Sequence, residues 1–238
     1  MSVRSRLVAL AAAGLLPFTA GCQALEDLAD EDPTDGADAG SGSVVSDEFS
    51  EHMPFTVTVD AAELTAQIEA LTVAEEAGDG YDRDLFPHWR DADGNGCDAR
   101  DDVLVFEERT GELSADDCDG AMSGQWVSMF DGETVTESSD LDVDHLVPLK
   151  EAWVSGARDW PTAEREAFAN SLDRPWHLLA VTASTNRSKS DQDPAEWMPP
   201  LEEVWCEYVW AWVQVKTEWD LTVDQAEADA LSEYAAAC

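Results

Sequence analysis

Residues 141–200 read LDVDHLVPLKEAWVSGARDWPTAEREAFANSLDRPWHLLAVTASTNRSKSDQDPAEWMPP, and the order of elements in this stretch decides the fold. Residues 142–148 alternate polar and apolar side chains up to Pro148, the pattern of a half-buried strand that a proline ends. Residues 150–156 and 162–172 read as helices, the second with Thr162 as its cap and Arg165, Phe168 and Ala169 patterned behind it. Residues 177–181 form a second short strand, and 183–190 begin another helix. Neighbouring strand residues point to opposite faces. Asp144 and His145 therefore serve one site only where the backbone bends, which a strand end before Pro148 allows. On the last helix Asn186 and Lys189 are three apart and share a face.

Charge sets this stretch apart from the rest. The 238 residues hold 52 acids and 13 lysines and arginines, a formal net charge of -39. Between 141 and 200 ten acids face six bases, whereas the other 178 residues carry 42 acids and 7 bases. So much acid repels nucleic acid and reads as a solubility device. The central stretch is the least hostile place on the chain for a phosphate.

Residues 1–21 have Arg4 and Arg6, a short Leu/Ala/Val run, and small residues before Cys22, which predicts an export signal. Small residues directly before a cysteine resemble a bacterial lipobox, so Cys22 is the expected acylation site and the membrane the expected partner; an ordinary secretory signal is the alternative. Residues 22–52 are Asp, Glu, Gly, Ser and Ala with few large apolar side chains, and are expected to form a disordered acidic tether. That leaves residues 53–238 as one domain of about 185 residues. Its four cysteines, Cys97, Cys118, Cys206 and Cys238, suit two disulfides in an exported chain. Three connectivities exist, and the local pairing Cys97–Cys118 with Cys206–Cys238 is the expectation.

Within the domain, residues 54–59 alternate like a short strand, and Asp60 is placed to cap a helix with Leu64, Ile68 and Leu71 on one face. An aromatic loop follows at 81–89, where His88 reads as an ordinary surface or core histidine. Asp91, Asp93, Asn95, Gly96 and Asp102 fall at calcium-loop positions 1, 3, 5, 6 and 12. Position 12 is Asp rather than Glu, and Cys97 pins the loop, so a disulfide-held turn competes with a Ca²⁺ site at Asp91–Asp102. Residues 103–106 and 124–130 read as strands, with a turn at Asp131-Gly132. Residues 202–219 carry Val204, Trp205, Tyr208, Val209, Trp212 and Val215 at helical spacing, and a last helix over 222–237 turns Leu231 and Tyr234 inward.

Strand with Asp-His, insertion, strand, then helix with Asn resembles the ββα-metal (HNH) nuclease motif. More closely, the chain from 80 to 238 resembles the secreted HNH endonuclease family of actinobacteria, which is GmrSD C-terminal-like. The motifs that carry the likeness are GYDR at 80–83, FPHW at 86–89, DGNGCDAR at 93–100, DHLVPL at 144–149, EAWVSGA at 151–157, REAFAN at 165–170, LLAV at 178–181, NRSK at 186–189 and DPAEW at 193–197. The resemblance implies an α+β fold: a ββα-metal core with flanking helices and a short disulfide-pinned N-terminal β region. It implies Asp144 and Asn186 as metal ligands and His145 as the general base. Lys189 and Arg187 would face phosphate. His177 stands where many such sites have a middle Asn that supports the base loop.

The residue types suit that chemistry. Mg²⁺ or Mn²⁺ prefers oxygen ligands and keeps water when only two side chains bind it. Histidine titrates near neutrality, which suits a base. The substrate implied is nucleic acid, DNA before RNA, with no obligate protein partner. The rival from another class is a calcium-stabilised surface binding lipoprotein with an inactive HNH frame.

Overall fold

The computed structural model describes residues 43–238 apart from 47, 93 and 119. The expected leader, Cys22 and most of the expected tether lie outside the described residues.

The described chain is α+β, three two-stranded antiparallel sheets among seven helices. Strand β1 (Val44–Ser46) pairs with β2 (Thr56–Thr58). Strand β1 thus lies inside the stretch read as tether. Phe49 explains part of this, since its ring meets Phe106 at 5.8 Å and lies under the Arg109 guanidinium. Helix α1 (Ala61–Ala70) starts where Asp60 accepts the Glu63 N–H, as the sequence suggested, and buries Leu64 and Ile68.

Residues 103–106 are a correction. They lie in helix α2 (Ala99–Glu107), not in a strand. A four-residue apolar run fits either element. What decides here is Asp98, whose side chain accepts from the Arg100 and Asp101 N–H groups and so nucleates a helix. The hairpin β3 (Ser123–Val127) and β4 (Thr134–Glu137) follows around the Asp131-Gly132 turn, with Gly132 at φ 70°.

Strand β5 (Leu141–His145), helix α3 (Leu149–Val154), helix α4 (Thr162–Ala169), strand β6 (Leu178–Thr182) and helix α5 (Ala183–Lys189) make up the central stretch. Thr162 is the first residue of α4 rather than its cap; Pro161 takes the cap position. Strands β5 and β6 pair in strict antiparallel register, Asp144 opposite Leu179 and His145 opposite Leu178. The outer edge of β6 is closed by side chains instead of a third strand. Glu107 accepts the Ala180 N–H at 3.2 Å and Ser128 the Thr182 N–H at 3.1 Å. Closing an edge this way satisfies backbone donors that would otherwise stay unpaired.

The β5–β6 pair separates two apolar clusters. Leu141, Val143, Leu178 and Ala180 pack with Val103, Leu104 and Trp126. Leu179 and Val181 face a larger, aromatic-rich cluster built with helix α6 (Trp205–Glu218) and helix α7 (Gln225–Ala235). Alternation along the strand thus gives each face its own core, and the second face also carries Asp142 and Asp144. Lys216, fully buried in α6, bonds Glu151 of α3 at 2.6 Å and Glu227 of α7, tying the C-terminal helices to the central stretch. Disulfides join Cys97 to Cys118 and Cys206 to Cys238.

Candidate active site

The site forms where β5 ends and α5 runs beneath it. Two polar rungs link them: Asn186 Nδ2 donates to Asp142 Oδ2 at 3.1 Å, and Lys189 Nζ donates to Asp144 Oδ2 at 2.6 Å. The rungs follow from the periods of the two elements. Residues 142 and 144 share a strand face, and residues 186 and 189 share a helix face. Lys189 also donates to the His145 main-chain carbonyl at 3.0 Å and lies near the Phe130 ring.

Lys189 is 0 % exposed, and it does not line the cleft. The expectation that it faces phosphate is corrected. An ammonium this deeply buried is retained because a carboxylate pairs with it. Burial pushes the Asp144 carboxyl up and the Lys189 ammonium down, and their mutual attraction works against both shifts.

His145 is held by a helix end that arrives from the insertion between the strands. Its Nε2 lies 2.9 Å from the carbonyl of Ala169, the last residue of α4. A carbonyl only accepts, so Nε2 carries the hydrogen and Nδ1 holds the free lone pair. Nδ1 has no protein partner among the described residues. The ring sits between Trp89, at 5.4 Å, and Phe168, at 6.5 Å and nearly parallel. This burial holds its pKa well below the usual histidine value, so the imidazole is neutral at pH 7.

His177 does a parallel task one carbonyl away. Its Nε2 lies 2.7 Å from the Phe168 carbonyl, and its own carbonyl accepts the Leu146 N–H at 3.0 Å. The two histidines thus bond consecutive carbonyls at the end of α4, that of Phe168 also accepting the Ser171 N–H at 3.4 Å. Burial lowers the His177 pKa to about 4.

Asp144, His145, Asn186 and Arg187 all line one cleft of about 440 Å³, with Tyr81 and Arg83 on its wall. Asp144 and Asn186 each keep an oxygen that the bonds to Lys189 and Asp142 do not use, and oxygen is the donor type a small divalent ion prefers. Among the described residues, three carboxylates converge elsewhere: Glu76, Glu151 and Asp193. The loop at 91–102 holds itself together. Asp91 accepts the Gly94 and Gly96 N–H groups, and Asn95 Nδ2 donates to Asp102.

The model for GmrSD restriction endonucleases, C-terminal domain, matches residues 115–234, half of the chain and all of the site except its outer wall. The chain belongs to this family. A protein from the fungus Arthroderma benhamiae, described only as an uncharacterized secreted protein, is 45 % identical over 178 residues, 73 % of this chain and 85 % of its own. The likeness therefore reaches a fungal protein, beyond the actinobacterial frame of the sequence reading. No solved structure matches.

For this GmrSD-type domain, the sequence missed the residues that act at a distance in the chain. Asn170 accepts the Arg90 N–H at 2.8 Å and donates to the Pro87 carbonyl at 2.7 Å, fastening the aromatic loop to α4. Trp89, at φ 56°, covers His145 from that loop. A left-handed tryptophan is costly, and such strain persists only where surroundings enforce it. The one available signal was the FPHW and REAFAN motifs lying 80 residues apart, which says nothing of contact. Among the described residues no helix is long and apolar enough to cross a membrane.

Proposed function

We propose that this protein is an exported, metal-dependent HNH-type endonuclease that hydrolyses phosphodiester bonds in DNA with little sequence preference. One observation carries the reading: Asp144, His145 and Asn186 line a single cleft, with the His145 Nδ1 lone pair free. The family match and its printed description support nuclease chemistry. RNA is the alternative polymer.

Asp144 and Asn186 would hold Mg²⁺ or Mn²⁺ through one oxygen each. When bound, such an ion stabilises charge on the phosphate and on the leaving oxygen. His145 takes a proton at Nδ1 from the attacking water, while its Nε2–H stays on the Ala169 carbonyl and fixes the ring. Lys189 keeps Asp144 oriented and charged from below. Arg187, exposed on α5 and lining the cleft, presents its guanidinium to a phosphate oxygen. His177 supports the base by holding the Leu146 N–H and the end of α4.

We further propose export, with a signal at 1–21, acylation at Cys22 and a tether that ends before β1. The two disulfides support an oxidising location, as does the relative described as secreted.

Plasmid cleavage tests the function. Nicking with Mg²⁺ or Mn²⁺ is expected, abolished by EDTA and reduced about 10²–10⁴-fold in His145→Ala. Full activity in that variant, or cleavage in EDTA, would sink the reading.

A further inference from the structure

We propose that Arg83 is a second phosphate-gripping residue of this cleft, aimed by His88. The inference rests on the nuclease reading and adds a residue from outside the strand–strand–helix core.

Arg83 opens the short turn Arg83–Leu85 in front of α2. Asp82 commits its carboxylate to the Asp84 N–H at 3.0 Å and makes no ion pair with the neighbouring guanidinium among the described residues. Arg83 Nε instead donates to His88 Nε2 at 3.4 Å. His88 Nδ1 lies 2.8 Å from the Phe86 carbonyl, so Nδ1 carries the hydrogen and Nε2 is the acceptor Arg83 needs. The turn itself is anchored to α4, whose Arg165 donates to the Leu85 carbonyl at 2.9 Å.

This arrangement fixes one edge of the guanidinium. Nη1 and Nη2 have no partner among the described residues, and Arg83 lines the cleft with Asp144, His145 and Asn186. Of the lysines near the cleft, both are engaged: Lys150 pairs with Asp191, and Lys189 with Asp144. On a chain of net charge -39, an arginine without a carboxylate at a cleft mouth is set apart from its surroundings. Arg187 lines the same cleft from α5, so two guanidinium groups from separate elements flank the reacting groups. A planar fork matches phosphate oxygens two at a time, which a lysine does not.

The test uses the full chain and a duplex DNA oligonucleotide. Cleavage is measured with Mg²⁺ in wild type, Arg83→Gln and Arg83→Lys. Binding is measured against NaCl concentration in a His145→Ala background. Arg83→Gln is expected to raise KM roughly tenfold or more. It should also lower the slope of log K against log salt by about 0.9, the signature of one lost phosphate contact. Arg83→Lys keeps the slope and recovers part of the KM. His88→Ala reproduces part of the Arg83→Gln defect, and His88→Gln, which retains an acceptor, restores it. Arg83 is exposed, so melting temperature should not move. If wild type cleaves with dependence on His145 while Arg83→Gln keeps its KM and salt slope, this proposal fails alone. If wild type does not cleave, the nuclease reading fails and takes this one with it.

Discussion

Lys189 Nζ, fully buried, lies 2.6 Å from Oδ2 of Asp144, a carboxylate that is itself mostly buried and reaches the cleft, so the charge of the site rests on an internal pair. Removing one partner leaves a buried charge uncompensated, which typically costs about 3–5 kcal/mol. Lys189→Met is therefore expected to lose that much in urea unfolding, along with cleavage. Lys189→Met combined with Asp144→Leu should recover stability but not activity. A loss below about 1 kcal/mol in the single variant would show that the pair does not hold the site.

Divalent ions should stabilise the fold through Asp144. A ligand at a hundred times its Kd adds about 2.7 kcal/mol to the folded state. Mn²⁺ is expected to raise the melting temperature of wild type and not of Asp144→Ala. A rise that survives Asp144→Ala and vanishes in Glu76→Gln would place the ion at the Glu76–Glu151–Asp193 cluster instead.

His177 sets a pH dependence of stability whose sign is fixed by its shift. Its pKa is about 4 in the folded protein against an ordinary 6.5, so the unfolded chain takes up the proton first as pH falls. The stability is present above pH 6.5 and is lost as pH falls to 4, by about 3 kcal/mol in all. Glu227 runs the other way. Burial and the nearby Glu151 raise its pKa to about 7, so it favours the folded state as pH falls from 7 towards 4.5. The measurement is consequently the difference between wild type and His177→Phe from pH 7.5 to 4. That difference should shrink steadily as pH falls; a constant gap would contradict a neutral buried His177.

The Cys206–Cys238 bond closes 32 residues and clamps the start of α6 to the end of α7. Loop-closure entropy for that length is worth about 3–4 kcal/mol. Cys206→Ser is expected to lower unfolding stability by that amount while leaving the cleft intact. The readout is a chemical melt paired with the cleavage assay. Full activity at low temperature with reduced stability is the expected combination, and loss of activity in the folded variant would contradict it.

Much of this was legible in the chain itself. The alternation before Pro148, the helical spacing of Asn186 and Lys189 and the turn at Asp131-Gly132 are local signals, and local geometry enforces them. They determined a strand–strand–helix unit carrying Asp144, His145 and Asn186, and an α+β class. Apolar runs without a period were less informative, which is why 103–106 looked like a strand until the Asp98 cap made it a helix. What only tertiary structure decided was the partner of each polar group. A side chain's hydrogen bond depends on which elements pack against it, and no spacing encodes that. Packing turned Lys189 inward onto Asp144 and set the end of α4 against His145 and His177. It also brought Arg83 from a distant loop to the wall of the cleft and Trp89 from the same loop against the His145 ring.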